Sequence, residues 1–454
     1  MAKSPTMAHL EPVLGKRSIV TAQAEQWKSL RKQFNPGFAP SHLLSLLPCI
    51  LDRAWRFLEI LDRHANTGDE FTLDELCINL TFDIIGAVSM DVDFRAQYSK
   101  SEQSEIVSLF RELITSYTNP TRSAATAWGI SGQLRKLQRR KLARQIDILL
   151  KEHIKQKFAE SALSSEETPK KKPRSILALS LQDITTLTPE ILSQTADQLK
   201  SFLFAGHDTT SILLQWAFYE LSRHPRVLKA ARNELDEIFG PDPSPSVVRD
   251  KLLSENGDSL LQRMTYISAI IKEILRLYPP SGSARLQRPG TGFNVSLPDG
   301  TSLCLDGVIV YNCATIIHRD EAVYGPTKDD FMPERWLGNT DTSMQTNDQQ
   351  PGPDNKDAGS KIPASAWRPF ERGPRNCIGQ ELANLEARVI LACTVRRYEF
   401  TKVGLGQIIR DDNGEKVVDD MGKFAVERPM FNKMQVTAKP VDGMRVTVNL
   451  APGA

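Results

Sequence analysis

One helix sets the scale of this fold. Thr188 followed by Pro189 is a helix start: a capping hydroxyl, then a proline whose missing N–H is no loss at the first helical position. Apolar residues recur at helical spacing as far as Leu221, and His224-Pro225 ends the run. About thirty residues at roughly 1.5 Å each give a rod of about 45 Å, long enough to cross a whole domain. The chain before about residue 290 reads the same way, with apolar residues three and four apart and Gly or Pro between segments; 133–158 is a long, basic, amphipathic helix. After Pro289 come short strand-like runs over 292–297, 301–305 and 308–311, separated by Asp-Gly pairs that suit tight turns, and 435–450 repeats the pattern around Asp442-Gly443. Two polar stretches without apolar period, 161–175 and 341–360, read as exposed loops. No composition break divides the 454 residues, so one domain is expected, mainly α with small β-sheets.

Composition removes several function classes. With 57 Lys plus Arg against 55 Asp plus Glu, a net charge of +2 offers no global field for nucleic acid. The six cysteines are too sparse for a disulfide scaffold and form no Cys-x-x-Cys pair, and the seven histidines contain no His-x-x-x-His, so zinc has no support. No stretch approaches the roughly 20 apolar residues of a membrane span, and the first fourteen residues lack the apolar core of a signal peptide, so the chain as written reads as soluble.

The most informative segment is Phe370-Glu-Arg-Gly373-Pro-Arg375-Asn-Cys377-Ile-Gly379, followed by helical spacing over 380–398. A cysteine at a helix entrance, with glycines that let backbone amides approach the sulfur, sits where thiolate is stabilised. A lone cysteine usually packs as a small apolar residue, but here Phe, two Gly and Arg stand at fixed offsets around it. The segment resembles the haem-binding loop of the cytochrome P450 family, Phe-x-x-Gly-x-Arg-x-Cys-x-Gly, with every defined position matched.

Further signatures lie upstream in the order the resemblance requires. Ala205-Gly206-His207-Asp208-Thr209-Thr210 is in the middle of the long helix and looks like the family's oxygen-activation motif. By that resemblance Thr209 would hydrogen-bond the dioxygen or its water, and Asp208 would relay protons. Gly206 costs about 1 kcal/mol relative to Ala inside a helix, which calls for a reason such as room for a ligand. Glu273-Ile-Leu-Arg276, on a helix over 267–277, puts both side chains on one face; as a surface pair it would be worth only about 0.3 to 0.5 kcal/mol. Phe331-Met-Pro-Glu-Arg335-Trp336 resembles the segment whose Arg joins that pair in a buried triad, so Glu273, Arg276 and Arg335 are assigned to structure. Trp27-Lys-Ser-Leu-Arg31 resembles the helix that binds a haem propionate, with Arg375 and Arg285 completing the donors. Within the resemblance His318-Arg319-Asp320 merely precedes the Arg335 segment.

The resemblance spans 15–450 and is greatest to P450s of filamentous fungi that work in biosynthetic clusters. It implies haem b with Cys377 as axial thiolate, and Phe370, Arg375 and Gly379 in the loop that holds it. The activity implied is insertion of one oxygen atom into an apolar or aromatic small molecule. Electrons would come from NADPH-cytochrome P450 reductase, docked on Lys28, Lys32, Arg372 and Arg375 of a monomer at the cytosolic face of the endoplasmic reticulum. With the propionate Trp already at 27, the family's membrane anchor, first helix and most opening strands would be missing, leaving a sheet edge unpaired. The alternatives are a P450-fold isomerase or dehydratase, against which Asp208 and Thr209 argue, and a haem-binding protein inactivated by that truncation.

Overall fold

A computed structural model describes residues 2–117, 130–163, 175–338 and 362–453. Of the expected loops, 341–360 and residues 164–174 of 161–175 lie outside them; Ser161 to Leu163 are helical, which corrects that part of the expectation, and Ser175 caps the helix Ile176–Leu181. The helices that position the site are α1 (Ala24–Phe34), α2 (Leu47–Thr67), α3 (Leu73–Met90), α4 (Glu105–Thr115), α5 (Ile130–Leu163), α6 (Pro189–Arg223), α7 (Pro225–Phe239), α8 (Thr265–Leu277) and α9 (Gln380–Thr394). The strands are β1 (Ala2–Lys3), β2 (Phe71–Thr72), β3 (Ser283–Leu286), β4 (Asn294–Ser296), β5 (Ser302–Cys304), β6 (Ile309–Asn312), β7 (Tyr398–Lys402), β8 (Asn432–Met434), β9 (Ala438–Pro440) and β10 (Arg445–Leu450).

The long helix α6 starts as its sequence dictates. Thr188 Oγ1 accepts the Ile191 N–H at 3.2 Å, satisfying one donor of the first turn, and Pro189 needs no partner. Nearly all of 195–203 and 210–221 is buried, so α6 is the axis of the core. Against it lies α3, apolar almost all round, with Leu80, Ile84 and Val88 fully buried. At Gly206 the two helices approach closely: a Cβ there would lie 2.8 Å from Ile85 Cγ1. The glycine therefore makes room for a neighbouring helix, a packing reason that the sequence did not show.

The sheets are small and antiparallel: two join strands far apart in sequence, and two are local hairpins, β4 with β5 and β8 with β9. β3 is flanked by β1, with Ala2 opposite Leu286 and Lys3 opposite Arg285, and by β6 on its other side. The chain start thus covers the edge of β3, while β6 is left as the outer edge with Ile309 and Tyr311 exposed. Two readings are corrected. Tyr398 does not end a helix but opens β7, after α9 stops at Thr394. Asp442-Gly443 does not close a local hairpin either: β9 pairs with β8, whereas β10 pairs with β7 and β2.

Candidate active site

The cysteine loop is shaped by backbone first. Glu371 and Gly373 adopt left-handed conformations, φ +58° and +74°, and the Cys377 N–H donates to Phe370 O at 2.8 Å, closing the loop just before α9. Glu371, an unspecified position of the loop pattern, ties it to the sheet: its carboxylate accepts from Ser283, from Asn312 Nδ2 at 2.8 Å and from Arg368 Nη2 at 2.7 Å. Cys377 is accessible to solvent although protein crowds around it. This desolvation pushes its thiol pKa up, opposed by the Gly379 N–H and the positive charge of Arg31. The Phe370 ring packs against the core beside Trp367, with ring centroids 6.3 Å apart.

Cations gather beside the loop. Arg31 donates through Nη1 and Nη2 to the backbone and side-chain oxygens of Asn376, both at 2.9 Å. Arg375 donates to Ala22 O at 2.7 Å, with its guanidinium 4.8 Å from the centre of the Trp27 ring. Lys3, brought opposite Arg285 by the β1–β3 pairing, was not foreseen from sequence. Burial, then Arg285, then Arg375 lower its pKa to about 8, with Glu371 acting the other way. Three cations close enough to destabilise one another with one nearby carboxylate suit an anionic ligand. A haem has the matching chemistry: carboxylates for Lys3, Arg285, Arg375 and the Trp27 helix, and an iron for the sulfur. Of the expected docking cations, Lys28, Lys32 and Arg372 are exposed, whereas Arg375 is turned inward.

The middle of α6 supplies a facing surface. Ala205 is exposed and Phe204, Gly206 and Thr209 are partly so, interrupting an otherwise buried helix. Thr209 Oγ1 donates to Ala205 O at 2.8 Å, leaving its lone pairs free to accept from a ligand or water. Asp208 is 1% exposed and paired with Lys439, Nζ to Oδ1 2.5 Å. His207 belongs to the core: its ring sits edge-on to Phe82 and Phe110, and burial lowers its pKa.

Glu273 and Arg276 are fully buried, with Arg335 and Trp336 closing over them partly buried. Arg276 binds Glu273 through two bonds of 2.9 and 2.8 Å, Arg335 Nε adds a third at 2.9 Å, and Trp336 Nε1 a fourth at 2.9 Å. Arg276 also donates to His318 O and Asp330 O. All of its contacts are internal, and His318 is fully buried within it. Among the described residues no cluster of His, Cys, Asp and Glu could hold a metal ion, and no helix is long and apolar enough to cross a membrane.

Comparison with known proteins gives a consistent result. Residues 1–426 match the family model described as Cytochrome P450. The chain is 32% identical over 399 residues to the cytochrome P450 monooxygenase acrF of Aspergillus aculeatus, covering 86% of this chain and 76% of that one. It is 32% identical over 406 residues to the cytochrome P450 monooxygenase polC of Polytolypa hystricis, covering 86% and 66%. A self-sufficient cytochrome P450 monooxygenase of Penicillium freii matches at 32% over 255 residues, 56% of this chain and 19% of its own length. A crystal structure of a cytochrome P450 matches with TM-score 0.72 over 98% of this chain and 87% of that one at 18% identity, a likeness of fold.

Proposed function

The chain belongs to the cytochrome P450 family, and we propose that Cys377 is the axial ligand of its haem iron. It is a haem-thiolate monooxygenase of the kind found in fungal secondary metabolism. The observation that carries the cysteine assignment is the setting of its sulfur: accessible, at the start of α9, with the Gly379 N–H and Arg31 favouring thiolate. Non-hydroxylating and inactivated alternatives are not favoured, since relatives over most of the chain are themselves monooxygenases.

When bound, haem supplies the activation of dioxygen, one atom of which enters the substrate while the other leaves as water. The chain's own residues would do the rest. Arg31 and the Phe370 carbonyl hold the loop so that the Cys377 sulfur is presented in one direction. Trp27, Arg285, Arg375 and Lys3 would hold the carboxylates of the group. Thr209 would hold a water or reacting oxygen at the open strip of α6, and Asp208 would bring protons from the protein side.

The substrate is proposed to be an apolar or aromatic small molecule, supported by the exposed and partly exposed Ala205 and Phe204 on the strip. Electrons are proposed to come from an NADPH-cytochrome P450 reductase meeting the exposed Lys28, Lys32 and Arg372. The site of action proposed is the cytosolic face of the endoplasmic reticulum, supported by family resemblance.

The deciding experiment is the reduced carbon-monoxide difference spectrum of the protein and of Cys377→Ala. The wild type is expected to show the red-shifted Soret band of thiolate ligation and the variant to lose it. A variant that keeps the band overturns the ligand assignment.

A further inference from the structure

Asp208 is held from outside its own helix. While Lys439 reaches Oδ1, its other oxygen, Oδ2, accepts from Thr437 Oγ1. Both partners belong to the hairpin of β8 and β9, and the same hairpin is fastened two turns further along α6, where Trp216 Nε1 donates to Asn432 Oδ1 at 2.9 Å. Lys439, whose side chain is 11% exposed, faces a second carboxylate as well: Asp74 Oδ1 at 3.9 Å, on the first turn of α3. Asp74 is steadied by Gln215 Nε2 at 3.1 Å and its side chain is 28% exposed. One ammonium thus stands between a sealed carboxylate and one that reaches solvent.

The ionisation of this group depends on the lysine. An enclosed carboxylate with no cation beside it bears the cost of an uncompensated buried charge, which the Lys439 contact offsets at Asp208. Burial pulls the Lys439 pKa down, but Asp208 and Asp74 together more than offset it, so the ammonium keeps its charge. Other ionisable neighbours are Glu75 and Cys77, beside Asp74, and His207, whose pKa burial lowers.

We propose that Lys439 is the positioning residue of Asp208: it keeps the acid ionised and turned toward the β8–β9 hairpin, so that Asp208 takes up its proton from the Asp74 side and gives it up only when the pair opens. In that uptake one proton passes from a solvent hydronium to a carboxylate oxygen of Asp208, a water remains, and no electron moves. The hairpin then governs proton supply, because a displacement of Thr437 and Lys439 changes both contacts of the acid at once.

The inference rests on the reading of Asp208 as proton carrier, and its test separates the two. Holoenzymes carrying K439M, K439Q, K439R, D208N and the double change D208N/K439M are compared by infrared spectroscopy and by hydrogen peroxide released per NADPH in the presence of reductase. K439Q accompanies K439M because an apolar side chain could prevent folding. Loss of the ammonium is expected to add the carbonyl band of a protonated carboxyl group at neutral pH, over and above any band from the buried Glu386, with no such addition in the wild type or the double variant. Peroxide should rise several-fold in the same variants, and K439R, which keeps the charge, should return both readouts toward wild type. Neutral variants with an intact thiolate spectrum but no such band, or with unchanged peroxide, overturn the role of Lys439. Unchanged peroxide in D208N overturns the carrier reading, while the infrared band still reports on the pair.

Discussion

Arg31 on α1 and Asn376 in the cysteine loop, 345 positions apart in the chain, are joined by two bonds of 2.9 Å, one to the backbone oxygen and one to the side chain. The fork geometry locks the residue before Cys377 and leaves a positive charge near the sulfur. Arg31→Lys keeps the charge and gives up the fork. A bond from a charged donor is worth about 1.5 to 3 kcal/mol, so haem release to a scavenger protein should speed up at least about tenfold with the Soret position unchanged. Equal release rates would remove Arg31 from loop positioning.

The triad around Glu273 is expected to be intolerant of even an isosteric change. Glu273→Gln leaves Arg276, itself fully buried, and Arg335 without their counter-charge, a loss of about 3 to 5 kcal/mol. Chemical denaturation should show the loss together with lower haem content. A small change in midpoint would mean that the two arginines are held adequately by the carbonyls they also meet.

Thr209→Ala should bind haem and substrate normally while releasing more hydrogen peroxide per NADPH, because the hydroxyl on the open strip is removed without disturbing the core. Unchanged coupling would exclude Thr209 from proton handling.

Acid should destabilise the fold through His318. Its Nε2 accepts the Arg368 N–H at 2.9 Å, which places the ring proton on Nδ1, 3.1 Å from Arg276 O. Burial is the main reason its pKa falls from 6.5 to about 4. Between these values the unfolded chain is protonated and the folded one is not, so stability falls as pH drops through this window. At pH 5 the penalty is about 2 kcal/mol relative to neutral pH. His207 contributes in the same direction, so the quantity to measure is the difference in pH slope between wild type and His318→Gln, which should be shallower.

Gly206→Ala tests the packing role of that glycine. Its methyl would lie 2.8 Å from Ile85 Cγ1, and overpacking of this kind costs about 1 to 3 kcal/mol, against about 1 kcal/mol gained in helix propensity. The variant should be destabilised, and Ile85→Ala should relieve it in a double-mutant cycle. Additive effects would show that the two residues do not press on each other.

The sequence by itself determined what local physics controls. The cap of Thr188, the proline after it and the apolar spacing specify α6, and the offsets within 370–379 specify a thiol loop at a helix entrance, because each signal acts within a few residues. What depends on distant partners was decided by tertiary structure. The turn at Asp442-Gly443 is locally suited to a hairpin, yet β10 finds its ladder with β7 and β2. The contact of Gly206 with Ile85 joins two helices far apart in sequence, and Lys3 joins Arg285 and Arg375 only through the pairing of β1 with β3. Asp208 is plain in its motif, but Thr437, which shares its carboxylate with Lys439, lies 229 positions away. Strand register and buried charge pairing are chosen by the summed packing of the whole core, and no short stretch of sequence carries that sum.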